Sequence, residues 1–259
     1  MNSVVLHYDG SFPGFLCAAA ELINASRSGF PLPSIRGPSS VEELFDETIA
    51  VPSDEARATL LWRRLSRKAG EAALRTCLEA FCSDAPDKEN AIARTLARIS
   101  SEGGKALENM GDTDICFVVK AALRTKGQAH LVTGLIRFSE LADGSWYAPI
   151  EPDCDILPLI GDHFAARYAD MRFAIHDRKR GMAILHVPGV HWEMVEGFSL
   201  ARGEEPPFSE REMAVRSGWI HYFDTVAIAQ RRNPRVQSGH MPKKYWRLLP
   251  EMRMNQNKN

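Results

Sequence analysis

The chain has 259 residues, of which 44% are hydrophobic and 25% are charged, and this composition is that of an ordinary globular protein. It excludes collagen-like, low-complexity disordered and disulfide-rich miniprotein classes. The 32 Lys and Arg residues nearly balance the 33 Asp and Glu residues, so a nucleic acid would have to bind a local basic patch rather than the field of the whole molecule.

Neither a membrane span nor a signal peptide is predicted. No apolar run approaches the roughly 20 residues that a transmembrane helix needs. Residues 1–6 lack the basic and apolar regions of a signal peptide. The five cysteines form no CxxC motif, and their odd number is more typical of reduced thiols than of a disulfide framework. We therefore expect a cytoplasmic protein.

Residues 1–120 are predicted to be mostly helical, after an opening strand, loop and helix. Val4–Tyr8 reads as a short buried strand, Asp9–Gly14 is rich in turn-forming residues, and the apolar run Phe15–Ile23 indicates a helix. A loop rich in Pro, Gly and Ser follows at Phe30–Ser40. The next predicted elements are a short helix that begins with the capping box Ser40–Glu43, a strand at Ile49–Val51, and amphipathic helices over Asp54–Gly70, Glu71–Cys82 and Asn90–Met110.

Residues 121–259 form the second predicted domain, in which short β-rich runs appear. His130–Phe138 and Ser145–Ile150 read as strands that pair through a hairpin turn at Asp143-Gly144. The remaining elements are a helix over Asp155–Tyr168 with Pro158 in its first turn, strands over Arg172–His176 and Met182–His186, and a long helix over Glu210–Ala229 that begins with the capping box Ser209–Glu212.

Together these elements predict an α+β fold. The second domain would hold a small antiparallel sheet in the order β-β-α-β-β. The long C-terminal helix would cover one face of that sheet, and a basic tail would follow it.

The C-terminal residues 231–258 carry eight basic side chains against one acid, Glu251. Cations that contact phosphates are mixed here with amides and aromatic rings that contact bases, as in single-strand or flipped-base binding. A solvated basic tail packed by its own aromatic residues would give the same pattern. The candidate nucleic-acid contacts are Arg231, Arg232, Asn233, Arg235, Gln237, His240, Lys243, Lys244, Tyr245 and Trp246.

An acidic stretch suggests a second kind of site. Glu151, Asp153 and Asp155 follow a predicted strand, and together they could bind a divalent metal ion through oxygen ligands. Such an ion would suit phosphodiester chemistry. The alternative is a solvated acidic loop in which Asp155 is the N-cap of the next helix. No other cofactor is indicated by the sequence.

Asp9, His176 and Asp177 are the candidate catalytic residues. His176 and Asp177 end a predicted strand, where the carboxylate could orient the imidazole for acid–base catalysis. Neighbouring residues on a strand point to opposite faces, so this contact requires the turn to begin at His176. Asp9 lies beside Tyr8 and Phe12, and an acid with two rings would suit a flipped base. The alternatives are structural: a hydrogen-bonded core histidine and two turn residues.

Several motifs spread over nearly the whole chain are shared with a known family. They are Tyr8-Asp9-Gly10-Ser11-Phe12, Gly134-Leu-Ile-Arg-Phe138, Tyr147-Ala-Pro-Ile-Glu-Pro-Asp153, Ile175-His176-Asp177, Arg231-Arg232-Asn233-Pro234-Arg235 and His240-Met-Pro-Lys-Lys-Tyr-Trp246. The chain thereby resembles a bacterial family of DNA metabolism or DNA repair proteins whose C-terminal part is a domain of unknown function, DUF4130. The last of these motifs is the most specific.

The resemblance implies a role in DNA repair or modification, but it implies no reaction and no catalytic residues. It also implies a genomic association with a radical-SAM protein, and often with a uracil-DNA-glycosylase-like protein. The iron–sulfur cluster would belong to that partner, because this chain lacks the three-cysteine spacing that binds one.

Three functional hypotheses follow. The first is a protein that binds single-stranded or damaged DNA through its basic C-terminal segment and acts with the radical-SAM partner. The second is an enzyme, either glycosylase-like or a metal-assisted hydrolase, that uses Asp9, Glu151, Asp153 or His176. The third is an adaptor whose basic segment docks on the partner protein instead of on DNA.

Overall fold

The computed structural model describes residues 4–38, 46–200, 207–226 and 233–252. The chain divides into two compact units, residues 1–126 and 127–259, and each combines helices with a sheet, which confirms the α+β class. Helix α5 (Thr113–Leu135) contains both the observed boundary and the predicted boundary at residue 120. The predicted capping box at Ser40–Glu43 lies outside the described residues.

Unit 1 opens with the predicted strand, turn and helix. The Ser11 hydroxyl accepts a hydrogen bond from the Gly14 N–H at 3.0 Å, Pro13 lies in the first turn, and Gly29 ends the helix with a φ of 73°. The elements are β1 (Val4–His7), α1 (Phe12–Ser28), β2 (Ser34–Arg36), β3 (Glu47–Ala50), α2 (Glu55–Ala69), α3 (Glu71–Phe81) and α4 (Lys88–Glu102).

Unit 1, predicted to be mostly helical, also contains a parallel sheet of three strands in the order β2-β1-β3. Strand β2 lies in the stretch predicted to be a loop. Its three residues carry no alternating pattern long enough to identify, and β2 forms by pairing with β1 and by burial of Ile35. The Asn90 side chain adds hydrogen bonds to both the N–H and the C=O of Ile35, so α4 holds this strand.

The third amphipathic helix is shorter than predicted, because α4 ends at Glu102 instead of continuing to Met110. Gly103 adopts a φ of 78°, which ends the helix. A side chain at Gly104 would lie 2.5 Å from the Ala69 carbonyl oxygen, so only glycine fits there. The Lys68 ammonium donates to the carbonyls of Ser100 and Ser101 and thereby satisfies the C-terminus of the helix.

Unit 2 contains five strands, β4 (Ser139–Glu140), β5 (Trp146–Ile150), β6 (Phe173–Asp177), β7 (Met182–His186) and β8 (Glu193–Glu196). They form one sheet in the order β4-β5-β6-β7-β8. The sheet is mixed, and the prediction of an antiparallel sheet was wrong at one position: β5 and β6 are parallel. A helix joins these two strands and returns the chain to the same end of the sheet, as a parallel pair requires. The helix between β5 and β6 is α6 (Leu157–Arg167), and α7 (Glu210–Val226) and α8 (Pro234–His240) follow β8.

The strand predicted at His130–Phe138 was wrong, since α5 continues to Leu135. The buried residues Val118, Ala122, Thr125, Ala129 and Val132 recur at intervals of three and four, which is helical spacing. Val132, a β-branched residue that favoured the strand prediction, therefore belongs to this helical face. Only the two residues of β4 pair with β5 across the predicted turn at Asp143-Gly144.

Helix α7 begins as predicted, because the Ser209 hydroxyl accepts from the Glu212 N–H at 3.0 Å. It packs against the edge strand β4, and most of its side chains are exposed, so it does not cover the sheet face as predicted. The core of unit 2 instead includes Ile160 and Phe164 of α6 and Tyr245. No described helix is both long and apolar enough to cross a membrane.

Candidate nucleic-acid interface

The C-terminal segment, here the described residues 233–248, is anchored to the core of unit 2. The Asn233 side chain accepts from the Val236 N–H at 3.2 Å, and Pro234 occupies the first turn of α8. A 3₁₀ turn, Lys243–Leu248, follows. Tyr245 in this turn is only 4% exposed and belongs to the hydrophobic core. The predicted base-contacting roles of Asn233 and Tyr245 thus coincide with a helix cap and a core anchor.

The acidic loop, Glu151–Asp155, pairs with this segment. Lys244 forms an ion pair with Asp153, and Arg247 forms one with Glu151. Arg178 in the β6–β7 turn also approaches Glu151, with 3.7 Å between Nε and Oε1. The hydrogen bond from Lys244 holds the pKa of Asp153 below its usual value, although burial opposes the shift. Residues about 90 positions apart in sequence therefore neutralise one another.

Arg235 and Lys243 are the predicted phosphate contacts that stay available. Both are exposed, and neither forms an ion pair with any described residue. The Lys243 ammonium lies 5.8 Å from the centroid of the Trp246 ring. A cation beside a partly exposed ring is the combination that single-stranded nucleic acid binds. Arg231 and Arg232, also predicted contacts, lie outside the described residues.

The other predicted contacts have internal partners or lie on the surface. The Trp246 indole N–H donates to the Met241 carbonyl at 2.8 Å, which fixes the ring orientation. The Gln237 amide lies 3.8 Å from the sulfur of Met252. His240 ends α8 and is exposed.

The predicted metal ligands are not brought together. Glu151 and Asp153 each face a cation from the C-terminal 3₁₀ turn. Asp155 is followed by Ile156, and Ile156 rather than Asp155 is the N-cap residue of α6. Within the ranges that the structure describes, no group of three His, Cys, Asp or Glu side chains could hold a metal ion. Lys244 and Arg247 neutralise Asp153 and Glu151, a role that a metal ion would otherwise have.

His176 and Asp177 face different partners. His176 is 9% exposed, and its Nδ1 lies 2.8 Å from the Tyr147 hydroxyl. Burial, together with the positive charge of Arg178, lowers the pKa of His176, so the ring favours its neutral form. Asp177 is fully buried and forms an ion pair with Arg180 at 2.7 Å. Its carboxylate also accepts from the backbone N–H of Lys179, so it stabilises the β6–β7 turn.

Asp9 stabilises the turn that leads into α1. Its carboxylate accepts hydrogen bonds from the Ser11 N–H at 3.0 Å and the Ser11 hydroxyl at 2.6 Å. Phe12 and Tyr8 pack against Phe15 and Phe81, so these rings belong to the aromatic core of unit 1. The catalytic roles of Asp9, His176 and Asp177 remain predictions.

A pocket of about 620 Å³ that was not predicted from the sequence lies within unit 2, between β4, β5 and α7. We call it the arginine–tryptophan pocket. Its lining residues include Arg137, Phe138, Glu140, Trp146, Arg211, Glu212, Val215, Arg216, Trp219 and Pro250. One local signal was available, because Arg211, Val215 and Trp219 follow one another at four-residue intervals on one face of α7. Their partners on the sheet are distant in sequence, so no local pattern joins the two walls.

The charged groups around this pocket are mostly paired. Arg216 donates to the Glu212 carboxylate and to the Ser139 hydroxyl, each at 2.7 Å. Arg137 forms an ion pair at 2.9 Å with Glu251, which is 2% exposed. Arg211 is exposed and has no ion-pair or hydrogen-bond partner among the described residues.

Comparison with known proteins gives a family without an activity. A sequence model described as "Domain of unknown function (DUF4130)" matches residues 86–251, which is more than half of the chain. No curated protein matches the chain. A solved structure, described as the DHH domain of a member of a family of ribosomal proteins, is 9% identical. It aligns over 73% of this chain and 74% of that one with a TM-score of 0.27, a likeness too weak to support any inference.

Proposed function

This chain belongs to the DUF4130 family, and we propose that it is a cytoplasmic DNA-binding protein that acts in DNA repair or modification. The C-terminal segment would bind the strand. The observation that carries the proposal is that Arg235 and Lys243 are exposed and unpaired within the described residues, on a segment that Tyr245 fixes to the core. Cations on an anchored backbone bind phosphates with a smaller loss of conformational entropy than cations on a mobile tail.

Cations of the β6–β7 turn lie beside those of the C-terminal segment. Arg178 in the β6–β7 turn and Arg247 in the 3₁₀ turn both approach Glu151. The charge of the neighbouring Lys179 also contributes to the lowered pKa of Asp153. The two carboxylates Glu151 and Asp153 are thus faced by four cations, Arg178, Lys179, Lys244 and Arg247, and their pairing leaves an excess of positive charge. A local excess of this kind is what phosphate binding requires on a nearly neutral protein.

The test is fluorescence anisotropy with single-stranded, duplex and uracil-containing DNA over a salt series. We expect Arg235→Gln combined with Lys243→Gln to weaken binding to all sequences. The negative slope of log affinity against log salt should become shallower by about 1.4 for single strands, at roughly 0.7 per phosphate contact.

The matched control is Arg63→Gln combined with Lys120→Gln, which removes two exposed cations of unit 1. The control should leave both affinity and slope unchanged. An equal loss in the two double variants would indicate a nonspecific charge effect. An unchanged slope in a folded Arg235/Lys243 variant would overturn the proposal.

A second candidate function is an adaptor that docks on a partner protein through α7, rather than through the basic segment as in the hypothesis from the sequence, and a different observation favours it. Val215, Trp219, Tyr222 and Val226 follow at intervals of three and four, and each is at least 40% exposed. An exposed apolar stripe on a helix is typical of a surface that packs against a partner protein. The resemblance suggests a radical-SAM protein as that partner, with a uracil-DNA-glycosylase-like protein as a further one.

Co-purification with the radical-SAM protein tests the adaptor. Tyr222→Ser with Val226→Ser should abolish co-purification, and nuclease treatment should not affect it. Loss of the partner after nuclease treatment would instead indicate that DNA bridges the two proteins.

A further inference from the structure

We infer that the arginine–tryptophan pocket binds a nucleobase, as part of a nucleotide. The volume of about 620 Å³ lies within the range of roughly 300–1,000 Å³ that is usual for small-molecule pockets. The inference rests on the proposed function in so far as a bound DNA strand would supply the nucleotide. A free mononucleotide would offer the pocket the same chemistry.

The walls of the pocket suit a flat aromatic ring. Trp146 enters from β5, Trp219 enters from α7, and Phe138 adds a third ring. Trp219 is 40% exposed and stacks on Tyr222, with 5.8 Å between the ring centroids. A large indole left exposed in this way offers a face on which a base can stack, and stacking accepts any base because each has a π face.

The charges of the pocket suit a neutral ring with an anionic group at the rim. The guanidinium of Arg216 is neutralised by Glu212, and that of Arg137 is neutralised by Glu251. Arg211 is the lining cation that lacks a partner within the described residues, and it is exposed, as a phosphate contact would be.

The lining also includes the carboxylate of Glu140. Glu140 accepts a hydrogen bond from the Ser209 hydroxyl at 2.8 Å, and no ion pair to it occurs in the described part of the chain. It would accept another hydrogen bond from an exocyclic amino group, as carboxylates do from cytosine. We therefore choose a cytosine nucleotide as the probe.

Protein NMR of the full chain tests this inference through the indole N–H signals of its five tryptophans. Replacing each Trp with Phe in turn assigns the signals. We expect deoxycytidine monophosphate and deoxycytidine to shift the Trp146 and Trp219 signals. Deoxyribose 5-phosphate, which has no base, should not move them. Trp62 lies in unit 1 and serves as the internal control.

Arg211→Gln tests the phosphate contact. It should weaken the binding of deoxycytidine monophosphate about tenfold, the loss usual for one charge-assisted hydrogen bond. It should leave deoxycytidine unaffected, since the nucleoside has no phosphate. The matched variant Arg63→Gln should change neither affinity.

An oligonucleotide arm distinguishes the source of the base. If a single-stranded oligonucleotide shifts the same two signals, a DNA strand supplies the base. If only the mononucleotide shifts them, the ligand is the free nucleotide, and either result upholds the pocket. Absence of both shifts at millimolar nucleotide would overturn the inference. Shifts produced only by a partner protein would also overturn it and would assign this face to a protein interface.

The two proposals fail in distinguishable ways. If the protein does not raise the fluorescence anisotropy of the oligonucleotide, while the mononucleotide shifts the Trp146 and Trp219 signals, the proposed function fails and the pocket stands. If the oligonucleotide binds, and neither it nor the mononucleotide shifts these signals, the pocket fails and the DNA-binding surface stands.

Discussion

At the scale of single residues, Asp177 and Asp143 occupy similar turns but differ in burial. Each accepts backbone hydrogen bonds and pairs with an arginine, Arg180 for Asp177 and Arg172 for Asp143. The side chain of Asp177 is fully buried, whereas that of Asp143 is 61% exposed. Water screens the exposed pair, so removal of one partner should be far more costly in the buried pair than in the exposed pair.

We expect Asp177→Ala to lower the free energy of unfolding by about 3 kcal/mol, because it leaves the Arg180 guanidinium without its buried partner. The matched change Asp143→Ala should cost less than about 1 kcal/mol. Urea unfolding of the two variants measures the difference. Equal losses would contradict the assignment of Asp177 as the anchor of its turn.

A second prediction for a single residue concerns His176 and the dependence of stability on pH. Burial lowers the pKa of His176 from the ordinary value of 6.5, so the unfolded chain binds a proton more readily than the folded protein does. Stability should therefore fall as the pH drops below about 6.5, and it should level off below the folded pKa. His176→Gln should remove this part of the pH profile of the unfolding free energy. A profile that keeps its slope in the variant would exclude His176 as the cause.

At the scale of elements, the C-terminal 3₁₀ turn is held by Tyr245 in the core and by ion pairs to the acidic loop. Lys243 and Lys244 are neighbours in sequence with different roles. Lys244 pairs with Asp153, and Lys243 has no ion-pair partner in the described ranges. Lys244→Gln should therefore increase hydrogen exchange at the amides of the turn, and Lys243→Gln should not. Equal protection in the two variants would mean that the pair contributes nothing to the position of the turn.

The ion pair between Lys244 and Asp153 should also depend on pH. Here a favourable contact of the charged form lowers the pKa, whereas for His176 burial lowers it. The hydrogen bond from Lys244 lowers the pKa of Asp153 below its ordinary value of 3.8. The contribution of this pair to stability is complete above that ordinary pKa, and it is lost as the pH falls through the lower pKa of the folded state. Exchange of the turn amides should rise in this acid range, and Asp153→Asn should show the raised exchange at neutral pH as well. We expect an effect below about 1 kcal/mol, since both side chains are more than a third exposed.

At the scale of the whole molecule, each unit has its own hydrophobic core. Leu74 in unit 1 and Ile160 in unit 2 are almost completely buried. Truncation of either to alanine removes buried methyl groups and leaves a cavity, at a cost of about 3 kcal/mol. Hydrogen exchange should show the largest loss of protection in residues 1–126 for Leu74→Ala and in residues 127–259 for Ile160→Ala. A uniform loss over both units would mean that the chain unfolds as one cooperative body.

The sequence by itself determined the elements whose signals are local. The caps at Ser11 and Ser209, the turn at Asp143-Gly144 and the helical spacing of α1 to α4 lie within a few residues of the structure they specify. Strands β5 to β7 were likewise predicted from short local runs of residues. The candidate cations were found from composition alone, since a cluster of charge is visible without any fold.

Only the tertiary structure decided which residues meet. Parallel pairing of β5 with β6, the pairing of Lys244 with Asp153 and the two walls of the arginine–tryptophan pocket each join residues that are distant in sequence. The helical ending of α5 depends likewise on which face of Thr113–Leu135 is buried. Side-chain periodicity encodes a local conformation, whereas burial of apolar surface selects among the ways of packing those elements. For that reason Lys244 and Tyr245 serve the fold, while Lys243, their neighbour, stays exposed to solvent.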